Sequence, residues 1–179
     1  KHNLSFNWTY DLPFGRNLKG LAGALAKGWQ LNNITAIHSG TPFTVRLGFN
    51  RSGNLNTTSF SANERPNLKA GASSNPVLGG PDRYFDVNAF VLPPVNTRGT
   101  LGRNTLIGPG LVNVDASIGK SFSLGESRSL LFRAEVFNLP NHPNFAVPSG
   151  QIAFTSTAGR ITSTVTTSRQ IQLGLKFTF

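Results

Sequence analysis

The chain ends in RQIQLGLKFTF, residues 169–179, and apolar and polar side chains alternate strictly along this stretch. The even-numbered positions carry the polar or small residues Gln, Gly, Lys and Thr. The odd-numbered positions from 171 onward carry Ile171, Leu173, Leu175, Phe177 and Phe179. Because successive side chains of a β-strand point to opposite faces of the sheet, the alternation predicts a strand with one apolar face and one polar face.

Four earlier segments share this pattern, each about as long as the 9–11 residues with which a tilted strand crosses a bilayer. They are LSFNWTYDL (4–12), GWQLNNITAIHSG (28–40), LVNVDASIGKSF (111–122) and SLLFRAEVFN (129–138). With the terminal stretch they predict about five membrane strands. The most helix-like segment is NLKGLAGALAKG (17–28), but it is short and rich in glycine, so we interpret it as a turn region.

The connections between these strands alternate between short and long. Residues 13–27 and 124–128 are short connections, whereas residues 40–110 and 139–168 are long ones. An antiparallel up-and-down sheet gives this alternation when all its long loops emerge at one rim. Loops this long are uncommon in compact domains but fit the extracellular loops of a large barrel. We therefore predict an all-β fold with antiparallel up-and-down strands of an incomplete transmembrane β-barrel.

The alternation alone does not separate a membrane barrel from a water-soluble sandwich. In a soluble fold the apolar face would be the core, whereas in an outer-membrane barrel lipid covers that face and the polar face lines a lumen. Aromatic side chains near strand ends favour the barrel, since aromatic girdles lie at membrane interfaces. These side chains are Trp8, Tyr10, Trp29, Phe122, Phe177 and Phe179.

Charged residues inside the strand patterns are assigned to the polar face. They are Asp11, Asp115, Lys120, Arg133, Glu135 and Lys176. In the barrel interpretation Asp115, Arg133, Glu135 and Lys176 face the lumen. We expect Asp115 and Glu135 to be neighbours on adjacent strands. Lys120 and Arg133 are expected close to them, which favours salt bridges that hold the strand register over an acid–base pair for catalysis.

Composition limits the possible chemistry. Net charge is +10, which indicates anionic partners such as lipid phosphate or lipopolysaccharide, but the basic residues are scattered and we expect no nucleic-acid partner. Without cysteine the chain has no disulfide or thiolate metal site, and its three histidines are far apart, so no metal and no cofactor are expected. No nucleophile or phosphate-binding motif appears, and we predict that the chain is not an enzyme and has no catalytic residues.

Aromatic residues also occur in the first long loop, among Asn, Arg and Asp. Tyr84, Phe85 and Phe90 are the candidates for contacting a ligand such as a sugar or a peptide. The alternative interpretation, which we favour, is that these rings pack the loops against each other. The chain opens on KHNLSFNW without an initiator methionine or a secretory leader, and we expect a fragment or a chain trimmed upstream.

Longer stretches follow one another in a recognisable order. They are GWQLNNITAIHSGTPFTV (28–45), RPNL (65–68), YFDVNAFVLPP (84–94), GTLGRNTLIGPGLVNVDASIGKSF (99–122), LLFRAEVFNLPNHPNFAVP (130–148) and RQIQLGLKFTF (169–179). In this order they resemble the C-terminal end of TonB-dependent outer-membrane receptors, in the large-looped subgroup with an N-terminal carboxypeptidase-regulatory-like domain. The stretch FRAEVFNLPNHPNF (132–145) is the most diagnostic. The tail residues Gln172, Gly174, Phe177 and Phe179 resemble the assembly signal of outer-membrane barrels.

The resemblance implies that residues 1–179 are the C-terminal part of one outer-membrane β-barrel domain, with long loops at 40–110 and 139–168. Its role would be part of the wall and outer loops of a receptor for nutrient uptake, in the cell outer membrane of a Gram-negative-type envelope. The implied partners are outer-membrane lipid and lipopolysaccharide, the barrel-assembly machinery and an unknown imported ligand. TonB would act only through N-terminal parts that this sequence does not contain.

Two other classes of protein stay open at this point. A small complete barrel with a structural or adhesive role needs at least about eight strands. TPFTVRL (41–47), NTTSFSA (56–62) and ITSTVTTS (161–168) are candidates for three more. A secreted carbohydrate-binding β-sandwich is the other alternative. Solubility without detergent would favour the sandwich, and heat-modifiable gel mobility of the isolated chain would favour the small barrel.

Overall fold

The computed structural model describes residues 2–53, 64–125, 127–153 and 156–179. Its contacts divide the chain into two compact units. The sheet unit comprises His2–His38, Leu111–Pro143 and Thr166–Phe179, and the loop unit comprises Ser39–Gly110 and Asn144–Val165.

Five long strands form the sheet unit. They are β1 (Asn3–Asp11), β2 (Trp29–His38), β7 (Leu111–Ser123), β8 (Ser129–Phe137) and β9 (Gln170–Thr178). Four two-residue strands belong to the loop unit: β3 (Pro42–Phe43), β4 (Asn67–Leu68), β5 (Phe90–Val91) and β6 (Leu106–Ile107). A single α-helix, α1 (Gly20–Ala26), and a 3-10 helix at Val87–Ala89 complete the regular structure of the described residues.

The large sheet has the order β1-β2-β7-β8-β9, and every neighbouring pair is antiparallel. The five predicted strands are therefore confirmed, with their ends shifted by only a residue or two. The prediction of an all-β fold with antiparallel up-and-down strands is confirmed as well, and the described strands do not close into a barrel.

The register joins the five alternating patterns into two continuous faces. One row of direct partners crosses all five strands through Tyr10, Leu31, Ile118, Ala134 and Leu173. The next row crosses through Thr9, Asn32, Ser117, Glu135 and Gln172. We call the side with the first row the apolar face and the side with the second row the polar face. Because a shift by one residue would exchange the two faces, the hydrophobic pattern fixes this register.

The connection between β1 and β2 contains a helix, so the interpretation of residues 17–28 as a turn region is wrong for Gly20–Ala26. The helix is seven residues long, which is marginal on intrinsic propensity alone. It is stabilised by Lys120, which is distant in sequence and donates hydrogen bonds to backbone carbonyls near the end of α1. No helix in the described ranges is long and apolar enough to cross a membrane.

The loop unit contains its own hydrophobic core, although we predicted its segments only as long loops of one barrel domain. Its short strands pair as β3 with β6 and β4 with β5. The core consists of Phe43, Val45, Leu47, Phe85, Ala89, Phe90, Leu106 and Ile152. Phe43, Val45 and Leu47 alternate with polar residues along one segment, and Ala89, Phe90 and Leu106 lie in short regular elements, whereas Phe85 and Ile152 come from irregular backbone. The two long connections are therefore a folded unit and not structureless chain.

The extra strands that a small complete barrel requires are not found where the structure describes the chain. Within TPFTVRL only Pro42–Phe43 is strand. Within ITSTVTTS, Thr164 forms an isolated bridge with Phe145. The third candidate, NTTSFSA, lies outside the described residues.

Candidate functional site

Side-chain hydrogen bonds run across the strands on the polar face. Thr9 Oγ1 donates to Asn32 Oδ1 at 2.8 Å, and Asn32 Nδ2 donates to Ser117 Oγ at 3.3 Å. Gln30 Nε2 donates to Asp11 Oδ1 at 2.9 Å. These bonds connect β1, β2 and β7 side by side, so the polar face is a cross-linked surface that supports the strand register.

The register places Asp115, Arg133, Glu135 and Lys176 on the polar face, as their parity predicts. Arg133 forms an ion pair with Glu135, with Nη1 and Oε1 at 3.4 Å. Glu135 is directly opposite Ser117, so Asp115 is its diagonal neighbour, and the two carboxylates line one small cavity of about 100 Å³. That these four residues face a lumen stays a prediction.

Lys120 lies on the apolar face, so our assignment of this residue to the polar face, near Asp115 and Glu135, is wrong. Its direct partners are Trp29 and Phe132, and its side chain is almost fully buried. The ammonium lies 5.5 Å from the ring centroid of Trp29. Lys120 continues the two-residue spacing of Val112, Val114, Ala116 and Ile118. The sequence pattern alone therefore places Lys120 on the apolar face.

Asn138 organises the turn after β8, inside the diagnostic stretch FRAEVFNLPNHPNF. Its φ is 51°, a left-handed conformation that Asn tolerates better than most residues. Its Nδ2 donates to the carbonyls of His142 at 3.1 Å and Thr167 at 2.9 Å, and its Oδ1 accepts from the backbone N–H of His142 at 3.0 Å. The Asp115 carboxylate accepts from the backbone N–H of Asn138 at 2.8 Å. Sequence reasoning missed this central role of Asn138, although the stretch itself stood out.

The proposed assembly-signal residues Gln172, Gly174 and Phe177 lie in β9, and Phe179 follows it. β9 pairs with β8 on one side, and the described residues provide no strand on its other side. The rings of Phe177 and Phe179 stack with centroids 6.0 Å apart. Recognition of this strand by an assembly machine stays a prediction.

The three candidate ligand-contacting aromatics occupy different environments in the loop unit. Phe85 and Phe90 are buried in its core, with ring centroids 5.9 Å apart. Because they are buried, these two rings are not accessible to a ligand. Tyr84 is only partly buried, and its hydroxyl donates to the carbonyl of Ile107 at 3.0 Å. Burial raises the pKa of Tyr84 above its ordinary value of 10.0.

Two cavities lined by described residues of the loop unit are wide enough to admit part of a solute. The larger, about 570 Å³, is lined by residues of 69–78 and by Asp86, Asn88 and Ala89. The smaller, about 250 Å³, is lined by Thr44, Arg46, Arg65, Arg103 and Asn104. Sequence reasoning recorded these arginines only as scattered charge, because they are far apart along the chain.

A family model described as outer membrane beta barrel domain matches residues 1–172. This chain belongs to that family. The match covers both units and ends inside β9, so it includes Gln172 but not Gly174, Phe177 or Phe179. Comparison with curated proteins gives no match, and comparison with solved structures gives none either. The outer-membrane barrel assignment therefore agrees with the five-stranded sheet and with its two continuous faces.

Proposed function

We propose that this outer-membrane barrel domain is the C-terminal part of a TonB-dependent receptor that imports nutrients. In this proposal the sheet unit forms part of the barrel wall, and the loop unit is extracellular and captures the ligand. The chain contributes binding and scaffolding but no catalysis. A plug and a TonB-contacting segment would come from the rest of the receptor, which is expected to carry a carboxypeptidase-regulatory-like domain at its N-terminus.

The observation that carries the proposal is the folded loop unit. Both of its segments are connections of an up-and-down sheet, one leaving β2 and returning to β7, the other leaving the turn after β8 and returning to β9. In an antiparallel meander these connections lie at the same end of the strands. A barrel wall needs only short turns there. A loop unit with its own hydrophobic core therefore supports an additional function such as ligand capture.

The apolar face supports the membrane part of the proposal. Ile171, Leu173 and Leu175 on β9 each leave about 70% of their area exposed. A row of large apolar side chains exposed to this degree is a liability in water but matches the lipid-facing band of a barrel. Lipopolysaccharide and other outer-membrane lipids are thus the proposed neighbours of this face, and the barrel-assembly machinery is the proposed partner during insertion.

A topology experiment tests the extracellular placement. The chain has no cysteine, so Leu78→Cys in the loop unit and Leu124→Cys in the turn between β7 and β8 each add one label site to it, and the receptor without either change gives the background. In intact cells that produce the complete receptor, a membrane-impermeant maleimide is expected to label the first variant only. Leu124→Cys becomes reactive after the outer membrane is opened. The reverse pattern, or labelling of both sites in intact cells, contradicts the proposed orientation.

Energy coupling is tested separately, by uptake. Cells with the complete receptor are given a panel of labelled peptides and oligosaccharides, with and without a protonophore. Import predicts accumulation of at least one compound that collapses when the proton gradient is removed. Surface binding that is unaffected by the protonophore, with no accumulation, contradicts import and favours the adhesive barrel.

A further inference from the structure

Three arginines of the loop unit converge on one cavity. Arg46, Arg65 and Arg103 line it together with Thr44 and Asn104, and no carboxylate is among the lining residues. The cavity volume of about 250 Å³ is slightly below the range for a whole small-molecule ligand, so it fits one polar group of a larger molecule.

Hydrogen bonds hold the backbone at several residues that line the cavity. Arg46 lies between the fully buried Val45 and Leu47, and its backbone N–H donates to the carbonyl of Gly150 at 2.8 Å. Thr44 Oγ1 accepts from the backbone N–H of Asn104 at 2.8 Å. The Thr44 hydroxyl in turn donates to Asn104 Oδ1 at 3.1 Å, which fixes the segment that carries Arg103.

The chain near Arg65 is equally constrained. The carbonyl of Glu64 accepts from the backbone N–H of Leu47 at 2.8 Å, and the next residue, Pro66, is fully buried. A Cβ built on Gly99 would meet the carbonyl oxygen of Arg65 at 1.8 Å, so the two backbones are in close contact. The arginine side chains therefore extend from fixed positions, which lowers the entropic cost of binding.

The other arginines of the loop unit differ from these three in one respect. Arg83 pairs with Asp86, Arg160 with Asp82 at 3.9 Å, and Arg51 donates to the carbonyl of Pro93. Arg98 interacts electrostatically with Glu64. By contrast, the guanidinium groups of the cavity have no carboxylate or carbonyl partner among the described residues. The acid nearest in sequence, Glu64, is already bonded to Arg51 and Ser52.

We propose that this arginine cavity binds a phosphate group. A cleft lined by charges of one sign concentrates ions of the opposite sign, and guanidinium groups match phosphate oxygens in geometry as well as in charge. The phosphate can belong to a soluble phosphorylated compound or to a lipid A headgroup, and the chemistry of recognition is the same. This inference rests on the proposed function, in which the loop unit is the capturing part of the receptor.

Calorimetric titration of the full chain in detergent with sodium phosphate tests the site, with total ionic strength held constant by sodium chloride. Saturable binding is expected. Arg46→Gln, Arg65→Gln and Arg103→Gln are each expected to weaken it about tenfold or more, since each removes a charged hydrogen-bond donor. Arg65→Lys keeps the positive charge but loses the planar set of guanidinium donors. Its affinity for phosphate is expected to lie between those of Arg65→Gln and the native chain.

Arg160→Gln is the matched control, since it removes one positive charge from the same unit at an exposed position outside the cavity. Near-UV circular dichroism of every variant verifies folding. No saturable binding in the native chain, or equal weakening by Arg160→Gln and the three cavity variants, overturns the inference.

A second arm identifies the source of the phosphate. Vesicles with phosphorylated or dephosphorylated lipid A are added to the chain, and inorganic phosphate is used as the competitor. Binding of inorganic phosphate without preference for phosphorylated lipid A indicates a soluble compound. A phosphate-dependent preference for the lipid, removed by Arg46→Gln, indicates the headgroup. Absence of phosphate binding by the native chain, in a complete receptor whose loop unit is labelled at the cell surface, refutes this inference alone, whereas a loop unit that is not at the cell surface refutes the proposed function.

Discussion

The side-chain ammonium of Lys120 donates a hydrogen bond to the backbone carbonyl of Leu25, with Nζ and O 2.7 Å apart. The same ammonium donates to the carbonyls of Ala24 and Lys27. The last carbonyls of a helix have no partners within it, and a cation at this end also interacts favourably with the helix dipole. A lysine on the apolar face thus completes a helix that its own sequence would not sustain.

Removing this lysine tests the contact. Lys120→Met is expected to lower the free energy of unfolding by about 1–3 kcal/mol, because it removes the hydrogen bonds that the ammonium donates to the carbonyls of Ala24, Leu25 and Lys27. Urea unfolding of the full chain in lipid vesicles measures the change. Lys176→Met, on the exposed polar face of β9, is the control and is expected to change stability by less than about 0.5 kcal/mol. Equal losses in the two variants would show that the lysine does not support α1.

The assignment of the two faces is tested by arginine substitution at neighbouring positions of β9. Leu173→Arg is expected to cost about 2–4 kcal/mol in lipid if the apolar face meets hydrocarbon near the midplane. Gln172→Arg is expected to cost little, since Gln172 is directly opposite Glu135 on the polar face. Folding titrations of both variants in vesicles measure the difference. Equal tolerance at the two positions would contradict lipid contact at the apolar face.

The turn after β8 is expected to depend on Asn138. Asn138→Ala removes three side-chain hydrogen bonds and puts alanine at a φ of 51°, so a loss of about 1–3 kcal/mol is expected. Asn138→Gly removes the same bonds but tolerates the backbone conformation, and is expected to lose less. Asn7→Ala, at an exposed position of β1, is the control for both. If alanine and glycine are equally harmful, the backbone conformation contributes nothing.

Glu64 is expected to make the loop unit sensitive to acid. Burial disfavours its charge, but hydrogen bonds from the Ser52 hydroxyl and from the backbone N–H groups of Arg51 and Ser52 outweigh this and lower its pKa from the ordinary 4.5. A lowered pKa in the folded state means a stabilising contribution that is present above pH 4.5 and is lost as pH falls through the lowered value.

Hydrogen exchange at the amides of Arg51 and Ser52 measures this effect as a function of pH. Protection is expected to fall below pH 4.5 in the native chain and to be weak at every pH in Glu64→Gln. Asp82→Asn changes a nearly fully exposed carboxylate of the same unit and should leave the pH profile unchanged. An unaltered profile in Glu64→Gln would assign the acid sensitivity to another group.

The core of the loop unit depends on Phe85, whose ring lies 5.9 Å from that of Phe43 and 5.9 Å from that of Phe90. Phe85→Ala is expected to destabilise the unit by about 3–5 kcal/mol, because it leaves a cavity at a fully buried position. Limited proteolysis within residues 64–110 reports the loss. Leu78→Ala, at an exposed position, is the control, and similar cleavage of both variants would refute the core assignment.

The large sheet was readable from the sequence because each strand repeats a two-residue period that any correct register must preserve. Leu173 and Gln172 could be assigned to opposite faces without knowledge of their partners. The same rule places Lys120 on the apolar face. Our assignment was wrong because we placed Lys120 by its charge and not by its position in the alternation. The helix beside it could not be predicted, since the donor that stabilises it is on a distant strand.

The loop unit was not readable in the same way. Val45 and Leu47 lie in a short alternating segment, but Phe85, with which they share a core, comes from a distant segment of irregular backbone. The arginine cavity has the same origin, since Arg46 and Arg103 approach each other only after the unit folds. Local pattern therefore predicted the wall, while the candidate site required the long-range contacts of the folded unit.

His38 and Leu111 are direct partners across β2 and β7, so the whole excursion Ser39–Gly110 departs from and rejoins the sheet at adjacent positions. Such an insertion can grow, shrink or change in sequence while the pairing beneath it is untouched, and lengthening it costs little in closure entropy. Evolution can thus exchange this insertion and keep the sheet from which it departs.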